Sequence, residues 1–412
     1  MEPGLPSYHL LAKSAGAACN LGCQYCFFLS KENLYPQAGF FMDDATLENY
    51  LRQLMETSQG PDVQVSWQGG EPMLRGRDFY ARSIELAEKY RKPHQRVQHT
   101  IQTNATLIDD DWAAFFKQNN YLVGVSIDGP RALHNAYRVD KTGAGSFDNV
   151  IRGWNLLQKH GVDSNVLCTI HAANADYPLE IYRFFRDELG ARFIQLIPVV
   201  ERATEQTLAA ANMGWGGQRG TDRPLYKQEG SLVTDRTVTP HAFGRFLTEI
   251  FDEWVQRDVG TVHVTTFDVA LGSWLGQHNL CIVSPTCGNA LVLEHNGDVY
   301  SCDHFVEPDH RLGNLNDTPL RALVASEKQR RFGTAKFDTL PKYCRECPVL
   351  FACFGECPRN RFTTTPDGEA GLNYLCAGYK AFFQHIDLPM QTMGRLLQQG
   401  RYADEIIRSS VA

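Results

Sequence analysis

Between His9 and Pro198 the chain alternates strand-like and helix-like segments, and that rhythm restricts its fold more than any other feature. The strand-like runs are His9–Lys13, Val63–Trp67, Val97–Gln102, Leu122–Ile127, Val166–Ile170 and Phe193–Pro198. Helical patterns at Ala45–Thr57, Asp78–Arg91, Asp109–Asn119, Phe147–His160 and Ile181–Leu189 separate them. Asp43 or Asp44 can cap the first helix, acids open the third, and Gly161 stops the fourth. Such alternation predicts an α/β fold with a parallel sheet and right-handed crossovers. Six βα units suit a partial (β/α)6 TIM-like barrel better than a closed eightfold one.

Polar and Gly-containing segments follow these strands: Gln68-Gly69-Gly70-Glu71-Pro72, Gln102-Thr103-Asn104 and Ser126-Ile127-Asp128-Gly129-Pro130. In parallel α/β folds the C-terminal ends of the strands build the active site. Residues 201–236 are irregular and rich in Gly, Gln, Thr and Arg, which suggests a substrate-side loop within a first domain spanning 1–238. Thr239-Pro240 opens a long helix, with Thr as cap and Pro at the first helical position. The alternation is expected to stop near 260. A turn-rich, Cys-rich second domain is expected over 239–380, then a helical tail over 381–412.

The net charge of −7 argues against a general nucleic-acid partner. No apolar run is long enough to span a membrane, and the N-terminus lacks a basic segment followed by an apolar run, so no signal peptide is expected. Twelve cysteines without a secretory signal point to metal or redox chemistry in a reducing compartment, and a cytoplasmic protein is expected.

Cys19, Cys23 and Cys26 fall in a C-x3-C-x2-C loop just after the first strand. Three thiolates leave one position open on a metal centre. A [4Fe–4S] cluster with one free iron would need such a set, and the free iron can take a small molecule. Downstream stand Cys281, Cys287, Cys302, Cys344, Cys347, Cys353, Cys357 and Cys376, enough for two four-cysteine sites. On spacing alone, zinc accounts for these C-x2-C pairs as well as iron does. Cys168 lies in an apolar strand and is read as a small core residue.

The segment Cys19-x3-Cys23-x-Tyr25-Cys26, with Gly69-Gly70-Glu71-Pro72 after the second strand, resembles the radical S-adenosylmethionine (SAM) enzymes. The later pattern, Gly297-x4-Cys302 followed by C-x2-C-x5-C-x3-C and a last cysteine, resembles the SPASM extension with its two auxiliary [4Fe–4S] clusters. The resemblance implies that Cys281, Cys287, Cys302 and Cys357 hold one cluster and Cys344, Cys347, Cys353 and Cys376 the other. Along nearly the whole length the chain looks most like the anaerobic sulfatase-maturating enzymes, through Ser126-Ile-Asp128-Gly-Pro, Arg138, the segment 195–201 and Tyr300-Ser-Cys302-Asp303-His304-Phe305.

That family oxidises a Cys or Ser of a sulfatase polypeptide to Cα-formylglycine. It uses three clusters and SAM, acts on an unfolded or nascent segment, and draws electrons from a donor such as flavodoxin or ferredoxin. The resemblance makes Asp303 the general base; without it, a turn aspartate capping nearby amides is the simpler account. Tyr25, Gln68, Gly69, Gly70, Glu71, Ser126, Asp128, Arg138 and Val200 are the expected SAM contacts. Arg138 could equally be a surface charge and Val200 a core valine. His304 earns mention only as the neighbour of Asp303. Peptide-crosslinking SPASM enzymes are the competing class, though the short stretch before the first strand leaves no room for a peptide-clasping domain there. A zinc-stapled binding scaffold does not account for the three-cysteine loop paired with Gly-Gly-Glu-Pro.

Overall fold

The computed structural model describes residues 7–36, 39–215 and 225–409. Parts of three expected regions lie outside these residues: the start of the first domain, the middle of the 201–236 loop, and the last three residues of the tail. The six strands are β1 (His9–Lys13), β2 (Asp62–Gln68), β3 (Arg96–Thr103), β4 (Leu122–Ser126), β5 (Ser164–Ile170) and β6 (Phe193–Pro198). Each pairs in parallel with the next. Their intervening helices include Asp44–Thr57, capped by the Asp43 side chain on Thr46 N, and Phe147–His160, ended by Gly161 at φ 66°. Left-handed φ at that stop is what glycine permits without cost. The expected Ile181–Leu189 helix is a short α-helix, Pro178–Arg183, running into a wider π-turn, Phe184–Glu188.

The alternation runs beyond 260. After β6, a two-residue ribbon joins β7 (Arg202–Ala203) to β8 (Leu232–Val233). The helix Pro240–Arg257 then returns the chain to β9 (His263–Val264), which adds to β6 in parallel. At the other edge β10 (Ala290–Leu293) pairs in parallel with β1, and β11 (Asp298–Tyr300) and β12 (Arg311–Asn314) continue antiparallel. The sheet therefore reads β12-β11-β10-β1-β2-β3-β4-β5-β6-β9 and stays open. Strands of two to four residues carry too few positions for a legible period, which is why the sequence pattern ends early.

The period of two along each strand decides which side chains enter the barrel. His9, Leu11 and Lys13 of β1 face the interior, as do Gln64, Ser66 and Gln68 of β2, and Leu122, Gly124 and Ser126 of β4. Their neighbours Leu10, Ala12, Val63, Val65, Val123 and Val125 pack outward against the helices, almost fully buried. Polar residues on an inner face leave an open interior instead of a filled one. Among the described residues no helix is long and apolar enough to cross a membrane.

Candidate active site

A cavity of about 610 Å³ opens at the C-terminal ends of the parallel strands. Cys19, Cys23 and Cys26 line it together with Gln68, Gly69, Gly70, Asp303, His304 and Arg359, and the His304 ring stacks 6.2 Å from that of Phe27, the residue after Cys26. The Gly-Gly-Glu segment is laced to the loop that carries the cysteines: Gly70 N donates to Gly16 O (2.8 Å) and Glu71 N to Ala18 O (2.7 Å). A Cβ on Gly70 would lie 2.0 Å from Ala18 O, so only glycine allows this approach. Burial pushes the Cys23 thiol up to about 12 and Cys19 well above its ordinary value. Such thiols ligate only when a metal takes the place of their protons.

Behind this wall lies a buried ion pair. Asp128 accepts from Arg138 Nε (2.8 Å), Tyr25 Oη (2.5 Å) and Thr169 N (2.9 Å). Burial alone would raise its carboxyl, but Arg138 and His171 outweigh that and hold it far below the carboxylate range. Arg138 also lies over the Tyr25 ring. Asp128 thereby fixes Tyr25, within the cysteine loop, and Arg138, beside it.

The other cysteines fall into two groups. Cys344, Cys347, Cys353 and Cys376 line one small cavity together. Cys281 lies within electrostatic reach of Cys287, Cys302 and Cys357. Burial pushes Cys353 and Cys357 up to about 12. Between those two, Phe354, Gly355 and Glu356 are all left-handed, at φ 43°, 69° and 53°. Two non-glycine residues in that region need support from outside the turn. Arg361 supplies it, donating to the carbonyls of Phe354 (2.6 Å), Gly355 (2.9 Å) and Glu356 (3.1 Å). Lys336 fastens the Cys281 turn in the same way, through the carbonyls of Ile282 (3.0 Å) and Ser284 (2.6 Å). Among the described residues no three His, Cys, Asp or Glu side chains crowd close enough to hold a single ion. Ligands to a cubane spread over its corners and need no such closeness.

Asp303 follows Cys302 in a short 3-10 turn and opens onto the large cavity, 24% exposed. Lys13 Nζ, at the inner end of β1, lies 2.5 Å from its Oδ1. Burial pushes this carboxyl up, but Lys13 foremost, with Arg359, overbalances it and holds the pKa below its ordinary value. His304 beside it is neutral, because burial pushes its imidazole down to about 3.

The Radical SAM superfamily model matches residues 14–185. The SPASM model, an iron-sulfur cluster-binding domain, matches residues 281–348. A serine-type anaerobic sulfatase-maturating enzyme of Bacteroides thetaiotaomicron is 43% identical over 97% of this chain and 94% of its own length. The chain belongs to the anaerobic sulfatase-maturating enzymes. A cysteine-type member from Clostridium perfringens is 32% identical over 92% of this chain and 96% of its own. The solved structure of native anSMEcpe with bound AdoMet matches with a TM-score of 0.80 at 30% identity, covering 94% of this chain and 99% of that one. A further structure of that protein, with AdoMet and a Cp18Cys peptide, matches at 0.79 and 29%.

Membership of the sulfatase-maturating family makes this a radical SAM oxidoreductase that uses [4Fe–4S] clusters and SAM, and it favours iron over zinc in the C-terminal half. Of the expected SAM contacts, Tyr25, Gln68, Gly69, Gly70, Ser126, Arg138 and Val200 line the large cavity. Glu71 and Asp128 do not: both are fully buried, and Glu71 spends its carboxylate on Met73 N (3.0 Å), Asn104 N (2.8 Å) and the Thr103 hydroxyl (2.8 Å). Cys168 is buried in the core. Lys13 and Arg359 also line the cavity, and neither belongs to the sequence motifs. The period of β1 could have found Lys13, a lysine on an inner face beside two inward neighbours; nothing in the sequence marks Arg359.

Cys347→Ala is expected to damage folding of the C-terminal half as well as activity. A turn-rich segment of this kind draws folding energy from its metal. A lower melting temperature with a loss of about four irons per chain would show it, by the content of one cubane. A stable, fully active variant would refute the ligand role.

Proposed function

We propose that this enzyme removes two electrons and two protons from one Ser or Cys side chain of a sulfatase polypeptide; a Ser gives Cα-formylglycine directly, and a Cys gives the thioaldehyde, which water converts to Cα-formylglycine with release of hydrogen sulfide. The observation that carries this reading is Asp303, a carboxylate on the same cavity as the three-cysteine loop and directly after a cysteine of the second group. When bound, SAM and the cluster on Cys19, Cys23 and Cys26 supply a 5′-deoxyadenosyl radical that takes a Cβ hydrogen atom, and the auxiliary clusters supply an acceptor for the remaining electron.

The chain's own residues do the rest. Arg138 and Tyr25, fixed by Asp128, shape the SAM end, with Gly69 and Gly70 offering backbone at close range. Asp303 accepts the hydroxyl or thiol proton, and Lys13 holds its carboxylate in place. A carboxylate is a poor base for an ordinary alcohol. It becomes a competent one once the adjacent carbon is a radical, because deprotonation then makes loss of the second electron easier. Asp303 beside Cys302 puts the proton acceptor next to a ligand of the proposed electron acceptor.

Serine is the proposed target, on the 43% identity to a serine-type enzyme against 32% to a cysteine-type one. An external one-electron donor such as flavodoxin or ferredoxin is proposed to start each turnover. The test is anaerobic incubation of holoenzyme with SAM, a reductant and sulfatase-motif peptides carrying Ser or Cys, read by mass spectrometry. The Ser peptide should lose the mass of two hydrogen atoms. A peptide that instead becomes internally crosslinked, or stays unchanged while SAM is cleaved, refutes the reading.

A further inference from the structure

Among the described residues seven lysines and arginines are buried, and six of them are partnered. Lys13 meets Asp303; Arg138 meets Asp128; Arg186 meets Glu253 and Asp258; Arg236 meets Glu201. Lys31 donates to Tyr226 O (2.7 Å), and Lys336 to three carbonyls. Arg359 is the exception. It is 9% exposed, its Nε is buried without an acceptor, and among the described residues no hydrogen bond or ion pair reaches its guanidinium. Arg361, two positions on, shows the contrast: its guanidinium is spent on the carbonyls of the Cys353–Cys357 turn.

An arginine cannot shed its proton, and it carries donors only. Holding it buried and unpaired is costly unless the working enzyme brings an acceptor. The backbone holds it firmly where it is. It sits in the 3-10 turn Pro358–Asn360, with Asn360 N on Cys357 O (3.0 Å) and Tyr374 N on Asn360 O (2.8 Å). Its side chain lines the large cavity. Its charge is felt by Asp303, His304 and Tyr226, and by Cys357 two positions before it, which places it beside Asp303 on that cavity.

We infer that Arg359 binds the substrate polypeptide, donating hydrogen bonds to a main-chain carbonyl beside the residue to be oxidised. This rests on the proposed function. The target side chain must reach Asp303, and the acceptors at a constant distance from its Cβ are those of its own main chain. A carbonyl is also the one acceptor that every polypeptide offers there. The guanidinium then does two jobs: it satisfies its own desolvated donors and it sets the depth to which the target residue enters.

The test uses reconstituted holoenzyme with SAM and no reductant, and an end-blocked sulfatase-motif peptide free of Asp and Glu. Peptide affinity is measured by fluorescence anisotropy for wild type, R359Q and R359K. SAM affinity, iron content and the visible spectrum are recorded beside it. R359Q should weaken peptide binding by about ten- to a hundredfold, the loss of one charge-assisted hydrogen bond, with R359K between the two and SAM affinity unchanged. Unchanged peptide affinity in R359Q with its clusters intact overturns the inference. So does a fall in SAM affinity, which would make Arg359 a cofactor ligand. Should R359Q lose iron, R359K decides: loss of iron there too makes Arg359 a cluster support and overturns the inference. Adding reductant to the wild-type sample separates this inference from its parent: a peptide that binds through Arg359 but is never oxidised refutes the proposed function alone.

Discussion

Replacing Cys19, Cys23 and Cys26 together with alanine should leave about eight of about twelve irons, four per cubane, and abolish 5′-deoxyadenosine formation. The loop should keep its place, because its contacts to the Gly-Gly-Glu segment run through backbone atoms of Gly16 and Ala18 and not through thiols. The Cys281 turn and the Cys353–Cys357 turn have their own supports in Lys336 and Arg361, whose hydrogen bonds there go to residues outside the first loop. Loss of SAM cleavage should therefore be complete while the fold and the auxiliary iron persist. Iron analysis, circular dichroism and chromatography of the products check the three statements on one preparation. A triple variant that still forms 5′-deoxyadenosine would show that SAM is cleaved elsewhere.

What the sequence made legible follows from how many positions each feature spends. Strands of five or more residues between amphipathic helices left a readable period, and so β1 to β6 could be placed in order. The two residues of β9 and the four of β10 could not be, although they set both flanks of the parallel sheet. The interleaving of the two four-cysteine groups is a property of tertiary structure. Cys357 follows Cys353 by four residues yet stands with Cys281, and only the family resemblance suggested that beforehand.

Carboxylates in the strand-end motifs were the weakest guide. The motifs that hold Glu71 and Asp128 make both expected cofactor contacts, and neither lines the large cavity. The structure turns both inward, onto backbone amides, Tyr25 and Arg138, where they hold the wall in place from behind. Motif membership says that a residue matters locally; it does not say which way the side chain points. Arg359 shows the converse: it lies outside any motif, and among the described residues its buried Nε has no acceptor while the other buried cations are paired.

Asp303→Asn should cut formylglycine formation by about 10²–10⁴, the usual cost of removing a general base, while 5′-deoxyadenosine formation falls far less. Asn is nearly isosteric with Asp, so the 3-10 turn after Cys302 should survive. Lys13 keeps a carbonyl oxygen in the new amide, the Gln68 Oε1 at 3.4 Å and the ring of Phe28 beneath it at 4.4 Å, so the buried ammonium is not stranded. The amide cannot take a proton. Removal of the Cβ hydrogen makes no use of Asp303 and should continue. What slows is the loss of the second electron, since a radical that keeps its hydroxyl or thiol proton is the poorer reductant. The two products therefore part company: SAM is consumed without a matching yield of aldehyde. Both are measured in a single anaerobic reaction, wild type beside variant, with the visible spectrum recorded first to show that the Cys302 group still holds its iron. Equal and small losses in both products would make Asp303 a turn residue that shapes the loop after Cys302, and the base would then have to be sought elsewhere on the same wall.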